Sequence, residues 1–198
     1  MANSAALSAA SPRSPLAHLT TLMENGSSAK VSLREEAFLV QLNVRGNADD
    51  PAFVSAFQGT TGLDLPVEPN TTSRSGRRIA VWLGPDEWGI VAPEEDAALM
   101  GALISAFGDQ HVSVVDLSDN RTTLSLSGEA AWTVMNKGCP LDIDPVCWSV
   151  GKSAQTVYSR AQVLIIQTGD EPEFKLFVRN SFAEYLARFL LENMREFA

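Results

Sequence analysis

Short runs of apolar and β-branched residues recur along the chain and predict β-strands. Seven such runs occur, at residues 37–44, 78–83, 88–92, 111–116, 121–126, 163–166 and 174–178. The second and third runs flank Gly84-Pro85-Asp86-Glu87, and this Gly-Pro turn predicts a hairpin. A similar turn at Gly169-Asp170-Glu171-Pro172 predicts that the last two runs also form a hairpin.

A second pattern, apolar residues three or four positions apart, predicts amphipathic helices. One helix is expected to begin at Asp49-Asp50-Pro51, a capping residue followed by a proline suited to the first helical position, and to end at Gly59. Another is expected from Pro93 to Gly108. The acidic residues 94–96 fall in its first turn, where the helix dipole favours negative charge.

The same spacing recurs twice in the second half of the chain. A short helix is predicted to follow Ser127-Gly128-Glu129 and to stop at Gly138. The last helix is predicted to begin at Ser181, with Glu184 completing a capping box three residues later. Strands that pair around amphipathic helices predict an α+β fold, in which mixed or antiparallel sheets pack with two to three amphipathic helices.

The arrangement of these elements predicts how the chain divides. Residues 66–76 are rich in Pro, Thr, Ser and Gly, so we expect a loop there. Residues 1–15 are dominated by Ala, Ser and Pro and predict a flexible tail. We expect residues 16–198 to form a single compact α+β domain, with two lobes at about 16–110 and 111–198 as the alternative.

Composition and charge narrow the class of protein. The chain has 198 residues, 45% of them hydrophobic and 20% charged, which is typical of a globular domain. Its net charge of −9 argues against a nucleic-acid-binding protein, which needs clustered Lys and Arg. The dense basic patch is Arg74, Arg77 and Arg78. We interpret it as a solvated loop, with contact to an acidic partner or a ligand anion as the alternative.

Several features favour a cytoplasmic location. The first fifteen residues lack the basic segment and apolar run of a signal peptide. No stretch approaches the roughly 18 apolar residues that a membrane-spanning helix requires. The two cysteines, Cys139 and Cys147, are too few for a disulfide framework or a four-cysteine metal site, so we expect free thiols.

The segment Gly151-Lys152-Ser153 matches the end of a phosphate-binding loop. The full motif needs a glycine five residues earlier, where the chain has Val146. It also needs a helix after the loop, whereas Thr156-Val157-Tyr158 is typical of extended structure. We therefore predict that this segment is not a nucleotide-binding loop.

Other catalytic patterns are incomplete as well. The two histidines, His18 and His111, accompany no Gly-x-Ser-x-Gly motif, and no Gly-x-Gly-x-x-Gly fingerprint occurs. The carboxylate pair Asp142 and Asp144 lacks the histidine support that a transition-metal site requires. From these patterns we assign no catalytic, cofactor-binding or metal-ligating residue to the chain.

Two further segments rich in glycine, proline or tryptophan are predicted to have a structural role rather than a binding role. Gly138-Cys139-Pro140-Leu141-Asp142 predicts an elbow after a helix, with a binding loop as the alternative. Trp82 and Trp88 flank the first hairpin and are expected in the core, with a subunit interface as the alternative.

A set of short segments, in a fixed order, resembles a known family. They are Trp82-Leu-Gly-Pro-Asp-Glu-Trp88, Asp116-Leu-Ser-Asp-Asn-Arg-Thr122, Gly138-Cys-Pro-Leu-Asp142, Gly151-Lys-Ser-Ala-Gln-Thr156 and Arg179-Asn-Ser-Phe-Ala-Glu-Tyr-Leu186. The run from Val115 to Ala130 resembles the Asp-Leu-Ser … Gly-x-x-Ala pattern of folate-dependent aminomethyltransferases and their relatives. Within that broad family, the order of all five segments is most similar to the gamma subunit of heterotetrameric sarcosine oxidase.

The resemblance implies a role inside a larger enzyme. The family's assembly oxidatively demethylates sarcosine to glycine, forms hydrogen peroxide, and transfers the one-carbon unit to tetrahydrofolate as 5,10-methylenetetrahydrofolate. It implies that the alpha and beta subunits hold FAD, covalently bound FMN, NAD and tetrahydrofolate, and that the delta subunit holds zinc. It implies a structural gamma subunit, docked mainly against alpha, that is a partial copy of the folate-binding fold.

Two alternatives remain open beside this resemblance. One is a stand-alone folate-binding aminomethyl carrier or repair protein of the same fold, although the chain is about half the length that this fold usually needs. The other is a scaffold unrelated to amine oxidation. A vestigial folate pocket near Asp116, Arg121 and Trp148 is a further hypothesis that the sequence alone leaves open.

Overall fold

Ten strands form two five-stranded antiparallel sheets in the computed structural model, which describes residues 12–198. The first sheet contains, in spatial order, β1 (Ser32–Glu36), β7 (Arg121–Ser127), β10 (Glu173–Arg179), β9 (Ala161–Gly169) and β8 (Ser153–Tyr158). The second contains β3 (Thr72–Ser75), β4 (Arg78–Gly84), β5 (Glu87–Ala92), β2 (Val40–Arg45) and β6 (Ser113–Asp116).

Five α-helices accompany the sheets within the described residues. They are α1 (Thr20–Asn25), α2 (Pro51–Thr61), α3 (Leu99–Phe107), α4 (Ala131–Gly138) and α5 (Asn180–Met194). Short 3₁₀ turns lie at Ala17–Leu19, Glu94–Asp96 and Arg195–Phe197. The α+β fold class with antiparallel sheets is confirmed, and the chain has more helices than the two to three expected. None of the helices between residues 12 and 198 is long and apolar enough to cross a membrane.

The sheets stack face to face, and the helices cover their outer faces. A small apolar cluster lies between the sheets and consists of Ile79, Val81, Val91, Leu164, Ile166 and Phe177. The largest cluster joins the first sheet to α1, α4 and α5, with Leu124, Leu176 and Leu190 among its members. A third joins the second sheet to α2 and α3 around Phe53, Trp88 and Phe107. The three clusters lie between four successive layers: helices, the first sheet, the second sheet, and helices.

Each sheet contains one strand from the other half of the chain. The early strand β1 pairs with β7 in the first sheet, with Leu33 opposite Leu126. The later strand β6 pairs with β2 in the second sheet, with Val44 opposite Val114. The main chain therefore leaves the first sheet after β1, completes the second sheet with β2 to β6, and returns to the first sheet at β7.

Helix α2 begins where the sequence predicts. The Asp50 carboxylate accepts a hydrogen bond from the backbone N–H of Ala52 at 2.9 Å, and Pro51 occupies the first turn. The predicted end at Gly59 is wrong, because the helix continues to Thr61 and stops at Gly62, whose φ is 70°. A left-handed glycine after the last turn is a common helix end.

The start of the next helix differs from the prediction. Residues 94–96 form a 3₁₀ turn after Pro93, and the α-helix begins only at Leu99. Two of the acidic side chains are engaged elsewhere, since Glu95 pairs with Arg77 and Asp96 with Arg78. These acidic residues, which were predicted to interact with the helix dipole, instead form ion pairs with β4 and the turn before it.

The predicted capping box of α5 is wrong. The helix begins at Asn180 without a side-chain cap. Its first turn is held by the β6–β7 connection instead, because the Asn180 side chain donates to the carbonyl oxygen of Asp119 at 2.8 Å. Glu184 pairs with Arg188 at 2.8 Å and with His18 at 3.1 Å.

Several strands escaped the sequence analysis. The predicted loop at 66–76 contains β3, which pairs with β4, and β1 was missed entirely. Both strands are short and carry mostly polar side chains, so they lack the apolar run that identifies a strand. Tertiary pairing supplies the hydrogen bonds that make them strands.

Candidate functional site

An open cavity of about 440 Å³ lies on the face of the first sheet that points toward the second sheet. Its floor includes Phe177 and Leu164, which also belong to the cluster between the sheets. Arg121 on β7 and Arg179 on β10 line it, and these two residues are directly opposite each other in the strand register. Gln155 and other polar residues of β8 and β9 complete the lining.

Two positively charged side chains line this cavity, although the chain has a net charge of −9. Burial and the positive charge of Arg179 lower the pKa of the Arg121 guanidinium, while Glu87 raises it. The Glu87 carboxylate is already engaged, since it accepts hydrogen bonds from Asn43 at 2.7 Å and Arg45 at 2.6 Å. None of the ten ion pairs formed within residues 12–198 includes Arg121 or Arg179.

A second open cavity of about 600 Å³ brings together part of the trio suggested for a vestigial folate pocket. Asp116 and Arg121 both line it, together with Phe38 and Met100. One Asp116 oxygen accepts hydrogen bonds from the backbone and the hydroxyl of Ser118, at 2.8 and 2.5 Å. Trp148 packs against the core that the first sheet shares with its helices and lines neither cavity.

The segment Gly151-Lys152-Ser153 joins the two sheets. The Gly151 N–H donates to Gln167 O at 3.0 Å, the Lys152 N–H to Ser149 O at 3.0 Å, and the Ser153 N–H to Asn70 O at 2.9 Å. A phosphate-binding loop requires such N–H groups to point at the ligand. Because all three are used within the chain, this segment has no free backbone donor to offer a phosphate, and the predicted extended structure after it is confirmed as β8.

The basic patch of the sequence is largely neutralised in the fold. The Nε and Nη2 atoms of Arg78 donate to the two carboxylate oxygens of Asp96, at 2.7 and 2.8 Å. These hydrogen bonds lower the pKa of Asp96. Arg77 pairs with Glu95, and Arg74 donates to the carbonyl oxygen of Thr168 at 3.0 Å. The patch is therefore neither a simple solvated loop nor a free anion site, because its charges connect β3 and β4 to neighbouring segments.

The Gly138-to-Asp142 segment is an elbow, closed by its own side chains. A Cβ atom on Gly138 would lie 2.5 Å from the Tyr158 ring, so only glycine allows this close approach. The Asn136 side chain closes the loop by bonding the main chain of Ile143 at 2.8 and 3.2 Å. Cys139 is buried and burial raises the pKa of its thiol, whereas the free Cys147 is exposed.

The two tryptophans of the first hairpin are opposite each other in the register but differ in burial. Trp88 is fully buried, packs its ring against Phe53 at a tilt of 40°, and donates its indole N–H to Pro66 O at 2.8 Å. Trp82 lies at the end of the strand and is only partly buried. Trp88 therefore lies in the core, as the sequence predicts.

Residues considered for metal or acid–base chemistry are dispersed. His18 contacts Glu184, and the Asp144 carboxylate accepts from the Val146 N–H at 2.8 Å, as in an ordinary turn. Among residues 12–198, no group of three His, Cys, Asp or Glu side chains is placed to hold a metal ion.

Sequence analysis missed Arg179, Phe177 and Leu164 as members of a site with Arg121. Each was interpreted only as part of a strand or a family segment. The available signal was the pairing of β7 with β10, which requires a register that the sequence pattern does not supply.

Comparison with solved structures places this architecture in a known fold class. The chain superposes on aminomethyltransferase T of the glycine cleavage system from Bartonella henselae with a TM-score of 0.64 and 18% identity, covering 88% of this chain and 49% of that one. At this identity the likeness establishes the fold alone. The two-sheet architecture with outer helices therefore belongs to the class of folds seen in aminomethyltransferases.

Closer similarities give the particular family. Residues 45–196 match the sarcosine oxidase, gamma subunit family. Curated gamma subunits from Corynebacterium sp. (strain P-1) and Arthrobacter sp are each 39% identical over 94% of this chain and 91% of their own length. The heterotetrameric sarcosine oxidase from Corynebacterium sp. U-96, in complex with pyrrole 2-carboxylate, contains a chain with a TM-score of 0.87 and 35% identity, covering 94% and 96% of the two chains. The chain belongs to the sarcosine oxidase gamma subunit family.

Proposed function

We propose that this chain is a non-catalytic structural subunit of a heterotetrameric, flavin-dependent sarcosine oxidase. The observation that carries the proposal is the superposition on a chain of the Corynebacterium sp. U-96 enzyme, at a TM-score of 0.87 over nearly the full length of both chains. The other subunits would be alpha, beta and delta, with alpha the main contact. The assembly would convert sarcosine to glycine with formation of hydrogen peroxide and 5,10-methylenetetrahydrofolate.

Two features of this chain argue against a phosphate-loop site and a metal site of its own. The Gly151–Ser153 segment, which most resembles a phosphate loop, uses its N–H groups internally. Its histidine, cysteine and carboxylate side chains form no metal-binding group within residues 12–198. It is part of our proposal that other subunits hold FAD, FMN, NAD, tetrahydrofolate and zinc, and we derive no chemical step for this chain.

Exposed apolar side chains support a role in assembly. Ten large apolar residues within 12–198 are exposed: Leu22, Phe38, Val67, Ile104, Val115, Leu141, Val146, Val150, Val157 and Phe182. Three of them lie in the connection between α4 and β8, where Val146 is 92% exposed. Interfaces of permanent complexes are large and apolar, so we propose that this connection contacts a partner subunit.

A stand-alone folate carrier is the less favoured function. The chain covers only 49% of the aminomethyltransferase T chain that it resembles in fold. By contrast it covers over nine-tenths of the gamma subunits. A cytoplasmic location is part of our proposal, supported by two free thiols, which reducing compartments preserve.

Affinity purification from the native host tests the assembly. We expect the tagged chain to retain two larger chains and one smaller chain, with a flavin absorption spectrum and sarcosine-dependent hydrogen peroxide formation. A colourless protein that elutes alone would refute the proposal.

The non-catalytic role requires a separate measurement. His111→Gln, Asp116→Asn and Cys147→Ser each remove a group that could transfer a proton or act as a nucleophile. If the chain is structural, the purified complexes should keep the wild-type turnover per flavin within about twofold. A loss of about a hundredfold or more in any variant that still assembles would show a catalytic role.

A further inference from the structure

Two arginines face the same open cavity without an acidic partner. Arg121 and Arg179 are directly opposite each other on β7 and β10, and both line the cavity of about 440 Å³. Like charges at directly opposed strand positions are destabilising. The charge of Glu87 raises the pKa of Arg121, but the Glu87 carboxylate is already bonded to Asn43 and Arg45.

A half-buried charge beside a charge of the same sign is costly unless an opposite charge compensates it, and here Arg121 is half-buried while Arg179 is exposed. The Arg121 side chain is the more buried of the pair, and its pKa is lowered first by burial and then by the charge of Arg179. The chain nevertheless holds both guanidinium groups at one cavity while its net charge is −9. An anion supplied from outside the chain would compensate both.

The shape and lining of the cavity indicate what kind of anion fits. Phe177 and Leu164 give an apolar floor and are both buried. Gln162 on β9 adds an amide group at the opposite side, while the Gln155 amide on β8 donates to Leu83 O at 2.9 Å. A volume of about 440 Å³ falls within the range of small-molecule sites. A guanidinium fork matches the planar geometry of a carboxylate, and an apolar floor favours a ligand with a hydrophobic body.

We propose that Arg121 and Arg179 bind the carboxylate of an organic anion whose apolar part lies on Phe177 and Leu164. The site goes beyond the proposed structural function, because it gives this chain a ligand of its own. The carboxylate can come from a free small molecule or from an acidic side chain of a partner subunit.

Titration of the isolated full-length chain with benzoate tests the site. Benzoate combines a carboxylate with an apolar ring, and inorganic phosphate is the comparison anion without an apolar body. We expect saturable benzoate binding by calorimetry, with phosphate binding more weakly. Arg121→Gln and Arg179→Gln should each weaken benzoate binding about tenfold or more, because each removes a charge-assisted hydrogen bond.

Arg160→Gln is the matched control, since Arg160 is an exposed arginine in the turn between β8 and β9 and does not line the cavity. It should bind benzoate like the wild type. The unliganded Arg121→Gln chain should also melt about 2 °C higher than the wild type, because it loses an uncompensated charge. No binding of benzoate by the wild type, or equal binding by Arg121→Gln and Arg160→Gln, would overturn the proposal.

The same titration on the purified complex distinguishes the two sources. If a partner side chain supplies the carboxylate, benzoate should bind the free chain but not the complex. If a small molecule supplies it, both should bind benzoate, and Arg121→Gln should weaken binding in both by the same factor. The free-chain result does not depend on the proposed assembly, so either proposal can fail without the other.

Discussion

At the scale of single residues, the Arg78–Asp96 pair illustrates how charges connect the second sheet to the start of α3. The two side chains form two hydrogen bonds and are 32% and 19% exposed. This partial burial separates the pair from fully solvated surface ion pairs, which contribute little to stability. The hydrogen bonds from Arg78 lower the pKa of Asp96 in the folded chain.

Removing the Asp96 charge should therefore destabilise the fold. Asp96→Asn is expected to lower the free energy of unfolding by about 1 kcal/mol at pH 7. Because the folded-state pKa is below the unfolded one, this contribution is complete above the unfolded pKa and is lost as the pH falls through the folded value. Urea unfolding at pH 7 and pH 3 should show the difference between variant and wild type shrinking at acidic pH.

Glu95→Gln provides the control for this experiment. Glu95 and Arg77 are 65% and 68% exposed, so their pairing should contribute less than about 0.5 kcal/mol. Equal effects of the two substitutions at pH 7 would contradict the assigned role of partial burial.

Gly138 gives a second prediction at this scale. A Cβ there would lie 2.5 Å from the buried Tyr158 ring, so Gly138→Ala should cost about 2–3 kcal/mol of unfolding free energy. Gly59 lies within α2 and an added Cβ would meet nothing within 4 Å. Gly59→Ala should instead stabilise by about 0.5–1 kcal/mol. Chemical unfolding of both variants checks the opposite signs, and destabilisation by both would contradict this account.

At the scale of elements, Tyr158 connects one strand to two helices. Its hydroxyl donates to the carbonyl oxygen of Val134 on α4 at 2.6 Å and accepts from Asn193 on α5 at 3.1 Å. Burial raises the pKa of Tyr158 to about 12. The neutral phenol is therefore the form that the fold stabilises.

The raised pKa predicts a loss of stability in alkali. This contribution is complete below the unfolded pKa of about 10 and is lost as the pH rises toward the folded value. Tyr158→Phe should lower stability at pH 8 by about 1–2 kcal/mol, because the buried Val134 carbonyl and the half-buried Asn193 amide lose their partner. It should also remove part of the decline between pH 9 and 11. Unfolding curves at several pH values test this, and an unchanged alkaline decline in Tyr158→Phe would exclude the assignment.

The sequence predicted elements best where local chemistry decides them. Asp50 and Pro51 define the start of α2 through a cap and a fixed φ, and both roles are found in the structure. Prediction failed where a distant partner decides, as for the capping of α5 and for the polar strand β1. Only part of the cavity lining was predictable, because distant strand pairing also brings its residues together. Arg121 was noted, but Arg179 joins it through a strand register that no local pattern specifies.

At the scale of the whole molecule, the exchange of strands links the two halves of the chain. Because β1 and β7 pair on either side of the second sheet in sequence, and because the two sheets share a buried apolar cluster, opening either sheet exposes apolar side chains of the other. We expect one cooperative unfolding transition, with Trp88 fluorescence and far-UV circular dichroism giving the same midpoint. Two separated transitions would instead support independent lobes at 16–110 and 111–198.

The connection between α4 and β8 gives a prediction for the assembly. Val146→Asp adds a charge at a side chain that is 92% exposed, so it should leave the stability of the free chain nearly unchanged. If this connection contacts a partner, the variant should retain much less of the larger subunits during purification. Val67→Asp, at a 63% exposed valine in another loop, is the matched control. Recovery of the complex at the wild-type level with Val146→Asp would exclude the contact.

The strand exchange also has a consequence for biosynthesis. A ribosome releases β1 long before β7, which begins at Arg121, so β1 leaves the exit tunnel with no strand to pair with. The second sheet likewise waits for β6, and the first for β10, which ends at Arg179. Unpaired strand edges are prone to aggregate while they wait. The nascent chain should therefore depend on chaperones through most of its synthesis, and translation arrested before Arg179 should yield protease-sensitive fragments.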